Sequence, residues 1–271
     1  MDVPVITKIT QQKKDPERYN IFLDEKYSYS VDESVLVKFG LTKGMTLEDW
    51  SIDDMIYEDE IRKAVNRALH YLGFKMRSEH EVKQKLLQVG YGEAVVLEAL
   101  VKLRELGFLN DETFSNALLE TQKRSSGKGP RAIQQELQQK GIGKELQEKM
   151  VDSYSDEEQV EVARKVAEKE ARKNKSQSPQ QKERRIQNTL LRKGYSYDII
   201  KKALVNIDFE IEDEEWEEVT QSIGEKAWRR YVSKYTGNDL KNRVKQSMYQ
   251  KGIPFDRIDW FIDKKENEDD D

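Results

Sequence analysis

The chain has 271 residues, of which 36% are hydrophobic and 37% charged, and its formal net charge is −5. This polarity is unusual for one compact globule but typical of helical repeats with thin, modular cores. With no cysteine, the chain has no disulfide framework, no thiolate metal site and no cysteine nucleophile. No apolar run approaches the roughly 20 residues that span a bilayer, and the N-terminus lacks a secretory leader pattern. We therefore expect a cytoplasmic protein without membrane contact.

Residues 1–55 are predicted to form a small β-rich module. Apolar residues alternate with polar ones on both sides of Asp24-Glu25, a pattern typical of a β-hairpin. The segment Val3 to Ile9 is a candidate third strand. Asp32 is then predicted to cap a short helix that ends near Phe39.

From about residue 60 the pattern is helical, and four glycines recur at spacings of 51, 53 and 58 residues. They are Gly90, Gly141, Gly194 and Gly252. Apolar residues lie eight and four positions before each glycine, as on one stripe of an amphipathic helix. A glycine at the end of a helix can adopt the left-handed conformation that terminates it. Each glycine is therefore predicted to mark a tight turn between two helices.

A further helix is predicted before each of these pairs; in the first unit it covers about Arg62 to Lys75. In that unit Ser78 and Glu81 form a capping-box pattern at the start of the middle helix. Four three-helix units and an acidic tail follow from this pattern, at 60–108, 109–154, 155–208, 215–264 and 265–271. The predicted fold is mainly α, with tandem three-helix repeats in an elongated curved array behind the β-rich N-terminal module.

Charge is distributed unevenly: it is −7 over residues 1–60, +8 over 61–208 and −6 over 209–271. A basic centre between acidic ends fits a polyanionic partner, although drift on a solvated helical protein produces the same asymmetry. Candidate partner-binding or DNA-binding residues cluster around the start of each middle helix. They are Arg77, Lys83, Lys85, Lys123, Arg124, Lys128, Arg131, Lys173, Arg184, Arg185, Lys241, Arg243 and Lys245. Stacked units would align them in a basic stripe; the alternative is ordinary helix charge paired with neighbouring carboxylates.

No group of residues indicates catalysis. His70 and His80 lie ten residues apart without the convergent ligands of a zinc site. The "SSGKGP" segment at 125–130 contains glycines and a lysine but lacks the preceding strand of a phosphate-binding loop. We therefore predict no catalytic, cofactor or metal site, and we do not expect an enzyme.

Several segments resemble the RecX family of recombinase regulators, in particular its longer Gram-positive members. These are "RSEHEVKQKLLQVGY" at 77–91, "LGFLNDETFSNALLE" at 106–120 and "GKGPRAIQQELQQKGI" at 127–142. The N-terminal segment at 11–41 is similar to the β-rich extension of those longer members. The order of the segments is far more specific than any one of them, and the resemblance covers nearly the whole chain.

The resemblance implies a function in the regulation of DNA repair, through binding to the RecA recombinase. Proteins of this kind lie along the groove of the RecA filament on single-stranded DNA, limit its growth, and thereby damp ATP hydrolysis, strand exchange and SOS signalling. The alternative is a helical protein that competes for single-stranded DNA. DNA is left open as a second ligand, bound weakly and without sequence specificity, and we expect a monomer.

Overall fold

The computed structural model describes residues 4–47, 49–173 and 177–269. It divides into two compact units, Met1–Ala117 with Leu137–Leu146, and Leu118–Glu136 with Gln147–Asp271. The second repeat contributes residues to both units. The boundary between the compact units therefore does not coincide with a boundary between repeats.

The N-terminal module contains a three-stranded antiparallel sheet in the order β1-β2-β3. Its strands are β1 (Ile6–Gln11), β2 (Arg18–Leu23) and β3 (Lys26–Asp32). Asp24 and Glu25 both have positive φ, 48° and 67°, as the tight two-residue turn of a hairpin requires. The predicted hairpin is therefore confirmed. The strand predicted at Val3 to Ile9 is β1, which begins at Ile6. Val3 lies outside the described residues.

The short helix α1 (Glu33–Lys38) follows the sheet. The Asp32 carboxylate accepts a hydrogen bond from the Ser34 N–H at 3.0 Å, which confirms the predicted cap. Val35 of this helix is buried beside Ile6, Ile21 and Val31. The module thus has its own small apolar core.

Helix α2 (Asp49–Leu72) begins well before Arg62, where the sequence placed the first helix of the first repeat. The difference arises because this one helix belongs to two cores. Met55 is buried in the core of the N-terminal module, whereas Ala64 and Ala68 are buried in the core of the first repeat. The two cores are therefore joined by a continuous helix without a linker.

The remaining helices form the predicted three-helix repeats, which confirms the fold class. They are α3 (Glu79–Val89), α4 (Glu93–Glu105), α5 (Asp111–Thr121), α6 (Pro130–Gln139), α7 (Lys144–Asp152), α8 (Asp156–Ala171), α9 (Pro179–Arg192), α10 (Tyr197–Leu204), α11 (Asp213–Tyr231), α12 (Gly237–Tyr249) and α13 (Phe255–Asp269). A π-helix, Gln122–Ser126, extends α5. Helix α13 continues into the predicted acidic tail as far as Asp269.

The glycine turns are confirmed by their backbone geometry. The repeat glycines have φ values of +104°, +74°, +92° and +78° in chain order. The apolar side chains eight and four positions before them are all 0% exposed. These are Val82, Leu86, Ile133, Leu137, Ile186, Leu190, Val244 and Met248. The predicted stripe is therefore the buried face of each middle helix.

The middle helices have two lengths, which alignment on the glycines alone did not indicate. Helices α3 and α6 span 11 and 10 residues, whereas α9 and α12 span 14 and 13. The difference is about one helical turn. The third and fourth repeats therefore resemble each other more than they resemble the first two.

Successive repeats are connected by a recurring contact, which we call the inter-repeat joint. In each case the carbonyl just before a repeat glycine accepts a hydrogen bond from the start of the preceding repeat's middle helix. The donor–acceptor pairs are Ser78 Oγ to Lys140 O at 2.6 Å, Gly129 N to Lys193 O at 2.7 Å, and Ser178 Oγ to Lys251 O. The same carbonyl position thus serves as acceptor at all three joints.

Each joint also brings the preceding repeat against the glycine itself. A Cβ atom would lie 2.4 Å from the His80 side chain at Gly141, 2.4 Å from the Ala132 nitrogen at Gly194, and 2.5 Å from Gln180 Oε1 at Gly252. At Gly90, in the first repeat, such an atom would meet nothing within 4 Å. Three of the four glycines therefore serve the contact between repeats as well as the turn.

Candidate partner-binding surface

Most of the basic residues predicted to bind a partner form ion pairs within the fold. The pairs are Arg77–Glu81, Lys83–Glu93, Lys123–Glu158, Arg124–Glu120, Lys128–Glu136, Lys173–Glu170, Arg185–Glu170, Lys241–Glu266 and Lys245–Asp259. Arg243 lies over the Tyr235 ring at 5.0 Å. Among the described residues, Lys85, Arg131 and Arg184 have no carboxylate within ion-pair distance. The alternative of paired helix charge thus applies to most of the set.

Lys123 has a structural role. Its ammonium group lies 3.1 Å from Glu120, 3.0 Å from Glu158 and 4.5 Å from the centre of the Tyr154 ring, and the residue is buried. Burial and the adjacent Tyr195 hydroxyl, 3.4 Å away, raise the pKa of the Tyr154 phenol. Lys123 therefore stabilises a buried polar cluster and is poorly placed to contact a partner.

One face of α9 differs from the rest of the basic surface. Polar side chains follow one another there at helical spacing and continue onto the turn after α12. These residues, which we call the α9 surface, are Gln177, Gln181, Arg184, Asn188 and Arg192, with Gln250 and Lys251. They line a groove of about 750 Å³. No described carboxylate lines this groove.

The positive charge of the α9 surface is not neutralised within the fold. Arg184 and Arg192 are exposed, and neither has a carboxylate partner among the described residues. Burial, together with the charges of Lys226 and Arg230, lowers the pKa of the Lys251 ammonium. Uncompensated cations in a groove attract a polyanion or an acidic protein surface.

An exposed aromatic pair adjoins this groove in sequence. Tyr249 and Phe255 stack with ring centres 4.8 Å apart and an interplanar angle of 24°, and they are 55% and 64% exposed. Gln250 and Lys251 of the α9 surface directly follow Tyr249. Exposed rings beside cations can stack on the bases of a single strand.

Sequence reasoning found only part of this surface. It included Arg184 and Arg185, which both line the groove, although the Arg185 guanidinium is paired with Glu170 at 3.0 Å. It missed Arg192, Gln181 and Asn188, although together with Arg184 they follow one another at spacings of three and four residues along α9. It also missed Gln250 and Lys251, which lie on the turn after α12. Lys123, Arg124 and Lys173 line a different groove. A single basic stripe along all four repeats stays a prediction.

The two histidines have ordinary packing environments. His70 contacts Phe74 edge-on at 5.2 Å, and His80 lies against Gly141. Within residues 4–47, 49–173 and 177–269, no three His, Asp or Glu side chains converge as a metal site would require. No helix in the same ranges combines the length and apolarity needed to cross a membrane.

Family profiles match the chain along most of its length. The Regulatory protein RecX N-terminal domain matches residues 4–48, and the first and second RecX three-helix domains match 64–103 and 110–151. The third RecX three-helix domain matches twice, at 156–204 and 213–262. This double match agrees with the longer middle helices that the third and fourth repeats share.

Proteins similar over their full length are described as Regulatory protein RecX. The chain is 42% identical to the one from Bacillus licheniformis and 39% to the one from Bacillus subtilis, covering 97% of this chain and 100% of each relative. A crystal structure of regulatory protein RecX is similar with a TM-score of 0.66 and 35% identity, over 74% of this chain and 98% of that one. A RecX structure from Lactobacillus salivarius gives 0.51 and 35%, over 54% and 96%. The chain belongs to the RecX family of regulatory proteins.

Proposed function

We propose that the protein binds the RecA recombinase filament and modulates, mostly by inhibition, its ATPase, strand-exchange and SOS-related activities. The observation that carries this proposal is the 42% identity to a regulatory RecX protein over 97% of the chain. The protein acts in the cytoplasm as a binding protein without an enzymatic activity of its own.

The α9 surface supports a filament-facing role for the third and fourth repeats. The single-stranded DNA in a recombinase filament carries a continuous line of phosphates. Arg184, Arg192 and Lys251 supply cations that no carboxylate of the described residues neutralises. Such unpaired charges steer association more effectively than charges already engaged in ion pairs.

The first test is RecA-dependent ATP hydrolysis on single-stranded DNA with this protein added below one copy per recombinase subunit. Inhibition far below that ratio is the expected result, because a protein acting on filament growth affects many subunits. No effect at any ratio would refute the proposed function.

The contribution of the α9 surface is tested with a double charge reversal, Arg184→Glu with Arg192→Glu. We expect the inhibitor concentration for half-maximal effect to rise by about tenfold or more, because two attractive contacts become repulsive. The matched control is Lys201→Glu with Lys234→Glu, which changes the net charge equally at exposed positions outside the groove. Equal losses in both variants would assign the effect to net charge and exclude the α9 surface.

A second function, competition for single-stranded DNA, is favoured by the exposed Tyr249–Phe255 pair, which adjoins Gln250 and Lys251 of the α9 surface in sequence. Phosphate-led binding weakens steeply as salt rises because counterions are released. Excess DNA distinguishes the two functions. Inhibition that persists supports direct filament contact, whereas inhibition that excess DNA relieves supports competition for the strand.

A further inference from the structure

A second groove lies in the second compact unit, between the π-helix that extends α5 and one face of α8. Its volume is about 810 Å³, within the range of small-molecule sites. The π-helix ends at Gly127, whose φ is +56°, and a Cβ there would lie 2.4 Å from Val166 of α8. Close packing at Gly127 thus fixes the two walls of the groove against each other. A π-helix of this kind occurs frequently at functional sites.

The charges along the groove are segregated. Toward the start of α8, Glu158 and Glu161 pair with Lys123 and Lys165 at 3.0 and 2.7 Å. Farther along the same face, Lys169 has no ion-pair partner among the described residues. One half of the groove is therefore neutralised internally, and the other half retains positive charge.

The lysine-rich half contains Lys169, Lys173 and Lys193. Its one carboxylate is Glu170, which is shared between Lys173 at 2.7 Å and Arg185 at 3.0 Å. The shared carboxylate cannot neutralise both partners and also compensate Lys169 and Lys193. A net positive charge remains on groups that come from two different elements of the third repeat.

Lys193 is destabilised as a cation by this arrangement. Its ammonium group donates a hydrogen bond to the Ser126 carbonyl at the end of the π-helix. Burial, and then the charges of Lys128, Lys169 and Lys173, lower the pKa of this ammonium, although Glu170 opposes them. A bound polyanion would relieve this repulsion, because each added negative charge stabilises the protonated lysines.

The π-helix contributes hydroxyl groups to the same groove. Ser125 Oγ lies 3.3 Å from Ser126 Oγ and donates to the Thr121 carbonyl at 2.7 Å. Both serines line the groove. Hydroxyls and lysine ammonium groups together are suited to the oxygens of phosphate groups.

We propose that the lysine-rich half of this groove binds a ligand that carries a run of phosphates, such as a nucleoside triphosphate or inorganic polyphosphate. Lys169 and Lys193 contact successive phosphates, and Lys173 exchanges its bond to Glu170 for one to the ligand. A single phosphate carries too little charge to compensate the whole cluster. This site is separate from the α9 surface and does not depend on recombinase binding.

The test is calorimetric titration of the full chain with tripolyphosphate, ATP and AMP at about 0.15 M salt, where nonspecific surface attraction is largely screened. We expect tripolyphosphate and ATP to bind at one site at least about tenfold more tightly than AMP, because AMP lacks the run of phosphates. Tighter binding of ATP than of tripolyphosphate identifies a nucleotide as the ligand, and equal binding identifies the phosphate chain alone. Failure of both to bind overturns the proposal.

The site is located with Lys169→Gln, which removes an exposed charge that has no ion-pair partner among the described residues. Lys201→Gln on α10 is the matched control. Lys169→Gln should weaken tripolyphosphate binding about tenfold, equivalent to about 1.4 kcal/mol, while the control leaves it unchanged. Equal affinity in the two variants would place binding elsewhere and overturn the assignment.

A readout that does not depend on affinity is the titration of the Lys193 ammonium by NMR. Tripolyphosphate should raise its pKa toward the ordinary lysine value, and an unchanged pKa would contradict contact at this end of the groove. A short oligonucleotide is then added as a competitor. An oligonucleotide that displaces tripolyphosphate and binds more tightly would overturn the assignment to a small ligand.

Discussion

A side chain at a repeat glycine would cost stability in two ways, through strain at positive φ and through close contact of its Cβ with the preceding repeat. At Gly194, with φ +92°, a Cβ would be strained and would also lie 2.4 Å from the Ala132 backbone nitrogen. We expect Gly194→Ala to lower the free energy of unfolding by about 3 kcal/mol, combining left-handed strain with overpacking. Urea denaturation followed by circular dichroism measures the change.

Gly90→Ala is the control for that prediction, because Gly90 has a similar φ of +104° and an added Cβ there would meet nothing within 4 Å. Only the backbone strain applies at this position, about 1 kcal/mol. Equal losses at the two positions would show that the inter-repeat joint contributes nothing beyond the turn.

The glycines and their apolar neighbours were predictable because they encode a local event, the end of an amphipathic helix. The joint was not predictable from spacing, since Ser78 and the Lys140 carbonyl are 62 residues apart. One sequence feature does accompany it. A lysine precedes the glycine at Lys140, Lys193 and Lys251, whereas Val89 stands in the first repeat, which no repeat precedes.

At the level of elements, Asp59 on α2 attaches the N-terminal sheet to the first repeat. Its carboxylate accepts two hydrogen bonds from Arg18 of β2, at 3.0 and 2.9 Å, and one from the Asp32 N–H at 2.8 Å. Asp59→Ala should lower the free energy of unfolding by about 3 kcal/mol, because it leaves a mostly buried guanidinium without its carboxylate and a buried N–H unpaired. Thermal or urea denaturation of the full chain measures this loss.

Lys63→Ala provides the comparison, since Lys63 pairs with the same carboxylate at 2.8 Å but is half exposed. An exposed partner of this kind contributes less than about 1 kcal/mol. A loss as large as that of Asp59→Ala would indicate that the exposed ion pair between Lys63 and Asp59, and not the bonds from Asp59 to the sheet, determines the stability.

The extent of α2 shows why element boundaries were harder to predict than element types. The sequence pattern placed residues up to 55 in the β-rich module and the first helix at about Arg62, so it missed the first half of α2. The apolar residues Ile52 and Met55 face the core of the N-terminal module, and that core is assembled from strands distant in sequence. Likewise, the pairing of Lys123 with Glu158, 35 residues away, could not be inferred from the local charge pattern that made Lys123 a candidate.

For the whole molecule, paired carboxylates make stability depend on pH. Burial raises the pKa of Asp59 and of Glu81, but Arg18 and Lys63 outweigh it at Asp59, and Lys140 and the Ser78 N–H at Glu81, so both values are lowered. In the second compact unit, Lys173 is the main cause of the lowered pKa of Glu170. These groups lie in the sheet attachment, the first joint and the third repeat. Each compact unit therefore contains carboxylates whose protonation disfavours the fold.

The direction of these shifts determines how stability changes with pH. A carboxylate whose pKa is lower in the folded than in the unfolded chain stabilises fully above its unfolded value, and this contribution disappears as pH falls through the folded value. We therefore expect the urea midpoint to be constant near neutral pH and to fall progressively below about pH 5. Asp59→Asn with Glu81→Gln should be less stable than the natural chain at pH 7 and should show a flatter decline.

Asp111 has the opposite effect on the pH dependence. Burial raises its pKa, and Glu79 raises it further, although its Oδ1 accepts the Glu79 N–H at 2.9 Å. Its charge thus costs stability at neutral pH, and the cost vanishes as pH falls below its unfolded value. Asp111→Asn, which retains the acceptor oxygen, should raise the urea midpoint at pH 7 and match the natural chain near pH 3. Parallel curves for Asp111→Asn and Asp59→Asn with Glu81→Gln would contradict the assignment of pH dependence to these individual sites.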